Sequence, residues 1–134
     1  MMNARKVTRV KLQIDRMDYS CLIGLVSADP DYKLSLAINR KLGLSLKNTD
    51  PLQIKGEFGT ELIFSRFSDT HGPSERIISL VSNRSGQNFL IRRLKNIDYL
   101  LHVFDPDDEV FVNNVISGLK EIPSVTAVFR LEPD

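Results

Sequence analysis

The chain has 134 residues, of which 42% are hydrophobic and 26% charged, with a formal net charge of +1. These proportions fit one folded domain spanning residues 1–134 around one core and exclude disorder along the whole chain. The near-zero charge excludes a global field that would gather nucleic acid or an anionic membrane, so any such binding has to be local.

The first eleven residues carry Arg5, Lys6, Arg9 and Lys11 and no acid. A basic arm of this kind can touch phosphates, but a solvated terminus or edge strand is the favoured reading, because Lys and Arg also discourage edge pairing. Within this region Val7 to Ile14 alternates, with Val10, Leu12 and Ile14 on one face, and reads as a half-buried strand. Cys21 to Val26 is almost continuously apolar, which suits a central strand.

Strand and helix are then joined by Ala28-Asp29-Pro30-Asp31, and the same Asp-Pro-Asp punctuation returns at Phe104-Asp105-Pro106-Asp107. The first Asp of each is placed to accept hydrogen bonds from the open amides of a helix start, and each Pro sits where its missing N–H costs nothing. From Pro30 onward Leu34, Ala37, Ile38 and Leu42 form a helical stripe that Gly43 stops. Leu44 to Pro51 reads as a polar connection.

Glu61–Phe67 and Arg76–Ser82 read as a hairpin around Ser68-Asp69-Thr70-His71-Gly72-Pro73-Ser74, and Ser85-Gly86-Gln87-Asn88 marks another turn. A strand from Tyr99 to Val103 follows. The second helix is expected from about Pro106 to Glu121, burying Phe111, Val115, Ile116 and Leu119, with Val112 near the boundary. Gly118 costs that helix about 1 kcal/mol relative to Ala, so a close packing contact is expected there. Val125 to Leu131 alternates as a final strand.

Two strand-helix units separated by a hairpin predict an α+β fold. The expected form is a ferredoxin-like two-layer sandwich, an antiparallel sheet with both helices on one face and an extra N-terminal strand. A lone Cys21 excludes an intramolecular disulfide and a Cys cage for metal within one chain, and points to a reducing compartment. No apolar run of about 18 residues and no secretory h-region is present, so a cytoplasmic location is expected.

The stretch Ile91-Arg92-Arg93-Leu94-Lys95-Asn96-Ile97-Asp98-Tyr99, with Leu100-Leu101, resembles the signature of the bacterial IPExxxVDY family of small proteins of uncharacterised function. Asp31 to Asn39, running on to Leu42-Gly43-Leu44, resembles that family's first helix. The family's Pro-Glu is Arg92-Arg93 here, which replaces a rigid turn and an acid with two cations. The resemblance implies a bacterial cytoplasmic domain and no particular reaction or cofactor.

Four residues stand out as candidate ligand-binding groups: Asp98, Tyr99, Arg92 and Arg93. An acid beside a phenol can orient a ligand's hydroxyl or amine, and Arg92, Arg93 and Lys95 can hold a phosphate or carboxylate. The structural alternatives are favoured: Asp98 receiving backbone N–H bonds in a turn, Tyr99 packing with its hydroxyl at the rim, and the cations forming a solvated face. The acids around Asp-Pro-Asp lack EF-hand spacing and are explained by the helix dipole. His71 and His102 have no metal or nucleophile motif around them, and Gly56-Glu57-Phe58-Gly59 is not a phosphate loop. Phe64 and Phe67 near Arg66 lack the RRM pattern and read as core packing on one face.

The sequence therefore predicts a non-catalytic binding or protein-interaction domain, homodimeric through an exposed sheet edge, with no cofactor, no metal and no membrane or nucleic-acid partner. The alternative is a regulatory domain that holds a small ligand near Asp98, Tyr99 and Arg92.

Overall fold

The computed structural model describes residues 21–55, 59–69, 78–103 and 109–131. The N-terminal basic arm, the strand expected at Val7–Ile14, His71 and the second Asp-Pro-Asp lie outside these residues. Among the described residues no helix is long and apolar enough to cross a membrane.

The apolar run opens the fold as β1, Cys21–Ser27, and the first helix, α1, spans Asp31–Leu42. Gly43 closes α1 in the left-handed region at φ 69°, where its N–H reaches the Asn39 carbonyl at 2.8 Å. The start of α1 differs from expectation. Pro30 occupies the cap position with no side-chain cap, and its carbonyl accepts the Leu34 amide at 3.0 Å. Asp29 instead donates its amide to Ser27 Oγ at 3.2 Å.

The polar stretch after α1 is a strand, β2, Lys47–Lys55, and not the connection expected through Pro51. The Asn39 side chain sets its beginning by bonding both the N–H and the C=O of Leu46, at 2.7 and 3.1 Å. Pro is tolerated here because β2 lies at the sheet edge and its register shifts between Thr49 and Leu52, around Asp50-Pro51. Next come β3, Glu61–Asp69, and β4, Ile78–Ser82, paired antiparallel as the sequence suggests. A small ribbon of β5, Arg84–Ser85, and β6, Asn88–Phe89, turns through Gly86 at φ 61°. The chain ends with β7, Tyr99–Val103, α2, Glu109–Lys120, and β8, Val125–Leu131.

The architecture is α+β, with a six-stranded antiparallel sheet in the order β2-β3-β4-β7-β1-β8 and two helices. The strand count exceeds the expectation because β2 was hidden by its polar edge composition. Both helices cover one face, where Leu34, Ile38, Val112, Val115 and Leu119 meet Ile23, Leu25, Leu80, Leu101 and Val103. Val112 belongs to the centre of this core, while Phe111 and Ile116 are only partly buried. An added Cβ at Gly118 would fall on Leu42 Cδ2, the end of a flexible side chain that would have to turn away, so the close packing expected at this glycine is a contact with Leu42 of α1.

The opposite face carries a second core, which replaces the single core expected. Ile54, Leu62, Phe64, Val81 and Leu100 are roofed there by Leu90, Ile91 and Ile97. Phe64 and Phe67 thus pack on opposite faces and not on one. Ile97 reaches the sheet at Gly24, where an added Cβ would sit 3.1 and 3.2 Å from Ile97 Cδ1 and Cγ2 and 3.4 Å from Leu131 Cδ1.

This contact is expected to invert the usual effect of glycine in a strand. Alanine normally gains about 0.5–1 kcal/mol over glycine in such a place, whereas Gly24→Ala here is expected to lose about 1–2 kcal/mol by overpacking. A denaturant melt of Gly24→Ala, Ile97→Val and the double variant measures this, with part of the loss recovered in the double variant. A second expectation concerns His102, half-buried on β7 opposite Ser79 and Leu22. Burial lowers its pKa from 6.5 to about 4, so the unfolded chain binds a proton in that interval that the folded chain does not. The His102 contribution is complete above pH 6.5 and is lost as the pH drops toward 4, by up to about 2–3 kcal/mol. Melts across that range should show this slope in the native protein and a shallower one in His102→Gln.

Candidate functional site

The four candidate residues follow the second core's roof, so its construction decides what they can do. Ile91-Arg92-Arg93-Leu94-Lys95-Asn96-Ile97 has an apolar residue at every third position. That spacing fits neither helix nor strand. The chain answers it with two consecutive turns: the Leu94 amide bonds the Ile91 carbonyl and the Ile97 amide bonds the Leu94 carbonyl, each at 3.0 Å. Ile91 and Ile97 are buried, Leu94 is partly so, and Arg92, Arg93, Lys95 and Asn96 are exposed between them.

Asn83 holds the three corners. It is 0% exposed, and a buried side-chain amide is stable only if its polar atoms find partners. Its Oδ1 accepts the Ile91 amide at 2.9 Å, and its Nδ2 donates to the Leu94 and Ile97 carbonyls, each at 2.9 Å. Its backbone adds bonds to Leu90 and Asp98. Sequence reading missed Asn83, and the only available signal was the period-three apolar pattern that needed an anchor.

Asp98 and Tyr99 are tied to the turn between β1 and α1. One Asp98 oxygen accepts the Ser27 amide at 2.9 Å and the other accepts Arg84 Nε at 2.8 Å, while the Asp98 amide bonds the Leu25 carbonyl at 2.9 Å. The guanidinium partner of Asp98 is therefore Arg84, which the sequence did not single out. Arg84 also reaches the Lys95 carbonyl at 3.3 Å and lies 5.1 Å from the centre of the Phe89 ring. Tyr99 is buried on the helix side and donates its hydroxyl to the Asp29 carbonyl at 2.6 Å. Burial, followed by the charges of Asp31, Asp98 and Asp29, pushes its pKa up to about 12.

The structure thus brings Asp98 and Tyr99 together as a clasp on the segment from Ser27 to Asp29, and sets Arg92 and Arg93 outward on the apex of the first turn. Cys21 is buried in the helix-side core. Among the described residues no group of three His, Cys, Asp or Glu side chains is arranged to hold a metal ion.

These bonds rank the residues by their cost of removal. Asn83→Ala, which strands three backbone partners in the interior, is expected to lose at least about 3 kcal/mol. Tyr99→Phe, which removes one hydroxyl, should lose about 1 kcal/mol. Chemical denaturation of the two variants checks the order. Above pH 10 the Tyr99 phenol ionises in the unfolded chain before the folded one, so native stability falls between pH 10 and about 12, and Tyr99→Phe should lack that component.

Comparison with protein-family models, with curated proteins and with solved structures finds no match to this chain.

Proposed function

We propose that the protein is a non-catalytic interaction module on a ferredoxin-like core, and that it forms a homodimer by pairing the outer edge of β8 across a twofold axis. The core reading is supported by the contiguous antiparallel set β8-β1-β7-β4, in which β7 lies between β1 and β4 and β1 lies between β7 and β8. That is the interleaving two strand-helix units produce in this fold. The strands β2 and β3 extend the sheet beyond β4. A bacterial, cytoplasmic setting and kinship with the IPExxxVDY family belong to the same proposal, carried by Ile91, Ile97, Asp98 and Tyr99.

The observation that carries the dimer is the contrast between the two terminal strands of the described sheet. β2 is guarded by Lys47, Lys55 and the irregularity at Asp50-Pro51. β8 contains neither Lys nor Pro, and its Phe129 is 47% exposed. The charge of Arg130 is met by Glu109 through two bonds of 2.9 and 2.8 Å, which lowers the cost of bringing two copies of this edge together. The competing reading, a small-ligand regulatory domain, rests on the exposed Arg92 close in the chain to Asp98 and Tyr99, whose own side chains are held at Ser27, Arg84 and Asp29.

Light scattering on the full chain should give the mass of a dimer, with a melting temperature that rises with protein concentration. Phe129→Lys should shift the equilibrium to monomer without altering the fold. A native protein that is monomeric at high micromolar concentration would overturn the proposal.

A further inference from the structure

The interior of the sheet dictates which backbone groups β8 offers along its outer edge. In an antiparallel sheet each residue turns its N–H and C=O toward one neighbouring strand, and the next residue turns them toward the other. The Asp98 carbonyl accepts the Asn83 amide on the β4 side, so Tyr99 addresses β1 and its partner Leu25. The Leu25 carbonyl lies on that side too, where it accepts the Asp98 amide. Gly24 and Val26 therefore address β8, and the Val26 carbonyl accepts Thr126 Oγ1 at 3.2 Å. Their partners Phe129 and Ala127 turn their backbone groups inward. Val128 and Arg130 are left to present theirs along the outer edge, which has no neighbouring strand among the described residues.

Side chains alternate between the two faces. Val128 packs against the helix-side core and Arg130 reaches Glu109 at the start of α2. Phe129 points to the opposite face, with Leu131 of the second core. The register with β1 shifts where Val26 faces Ala127 and Ser27 faces Val125. Thr126 is the extra residue of a bulge, and regular pairing begins at Ala127. The regular span Ala127–Leu131 has Phe129 at its centre.

We propose that two copies of the chain join β8 to β8 with Phe129 on the twofold axis, facing Phe129 of the second copy, and with Val128 of each copy opposite Arg130 of the other. This register presupposes the edge pairing proposed above. The axis falls on a residue and not between two, because only then do outward backbone groups meet outward groups. Centring on Val128 would set the bulged Thr126 against Arg130, and centring on Arg130 would set two guanidinium groups opposite each other. Centring on Phe129 avoids both. It places the two rings at a pair without mutual backbone bonds, where side chains approach most closely, and each ring covers apolar surface that the other leaves open.

The test is disulfide trapping in the full chain with oxidised glutathione, read on non-reducing gels, for Val128→Cys, Phe129→Cys, Arg130→Cys and, as a collision control on α1, Tyr32→Cys. The native chain, whose Cys21 is buried, sets the background. A residue facing its own copy across the axis has its Cα about 4.5 Å from that copy, within disulfide reach. Val128 and Arg130 each stand two positions from their own copies, beyond the limit of roughly 7 Å. Phe129→Cys should therefore cross-link about tenfold faster or more than the other three, although Tyr32 is the more exposed position, at 61% against 47%. Fastest cross-linking at Val128 or Arg130 would leave edge pairing standing and overturn the register. A dimer by light scattering in which no β8 variant outpaces Tyr32→Cys would overturn both, as would a native monomer. If reduced Phe129→Cys is monomeric, an equal mixture of Phe129→Lys and Phe129→Glu takes its place. Opposite charges then face each other across the axis, so the mixture should regain the dimer mass that each variant alone lacks, and a mixture that stays monomeric overturns the register.

Discussion

A single buried amide sets the terms for one whole side of this molecule. Asn83 is shut off from water, and its two side-chain polar atoms are satisfied only if Ile91, Leu94 and Ile97 present backbone groups to it from three directions. That requirement folds a run with no helix or strand period into two consecutive turns. It also drives Ile91 and Ile97 onto the sheet, where they complete the core on the face opposite α1 and α2. The penalty for an unsatisfied amide in the interior is what makes the arrangement selective, more than the modest net gain from each bond.

The two faces of the sheet are consequently built by different physics. The helix face is a contact of apolar stripes, with a close approach of Leu42 at Gly118. The other face depends on directional bonds, and Ile97 approaches it closely at Gly24. Asp98 and Tyr99 join the two systems. They sit where the roof returns to the sheet, and their side chains reach Ser27 and Asp29 at the departure of α1.

Legibility in the sequence followed periodicity. The stripe Leu34, Ile38 and Leu42 with Gly43 announced α1 because it is the imprint of one packed face, and the apolar run announced β1 because both its faces are packed; alternation marked out β8, although Val125 and Leu131, expected on one face, fall in different cores. β2 escaped because an edge strand of mostly polar residues, broken at Asp50-Pro51, carries no such imprint. The cap on α1 was misplaced because Asp29 is held by Ser27 and Tyr99, and a contact across seventy residues leaves no local mark. Asp98 and Tyr99 could be picked out as a polar pair, but Asn83 and Arg84, which organise their surroundings, look like ordinary loop residues between Ser82 and Ser85.

The unequal protection of the two sheet edges has a consequence for how large an assembly can grow. A sheet open at both ends can add copies head to tail without limit, because each addition regenerates the edge it consumes, and such growth ends in fibres. The bulge and lysines of β2 withdraw one end from that process. Among the described residues one end strand is left without such guards, and under the proposed edge pairing two copies of it would satisfy each other and end growth in one encounter.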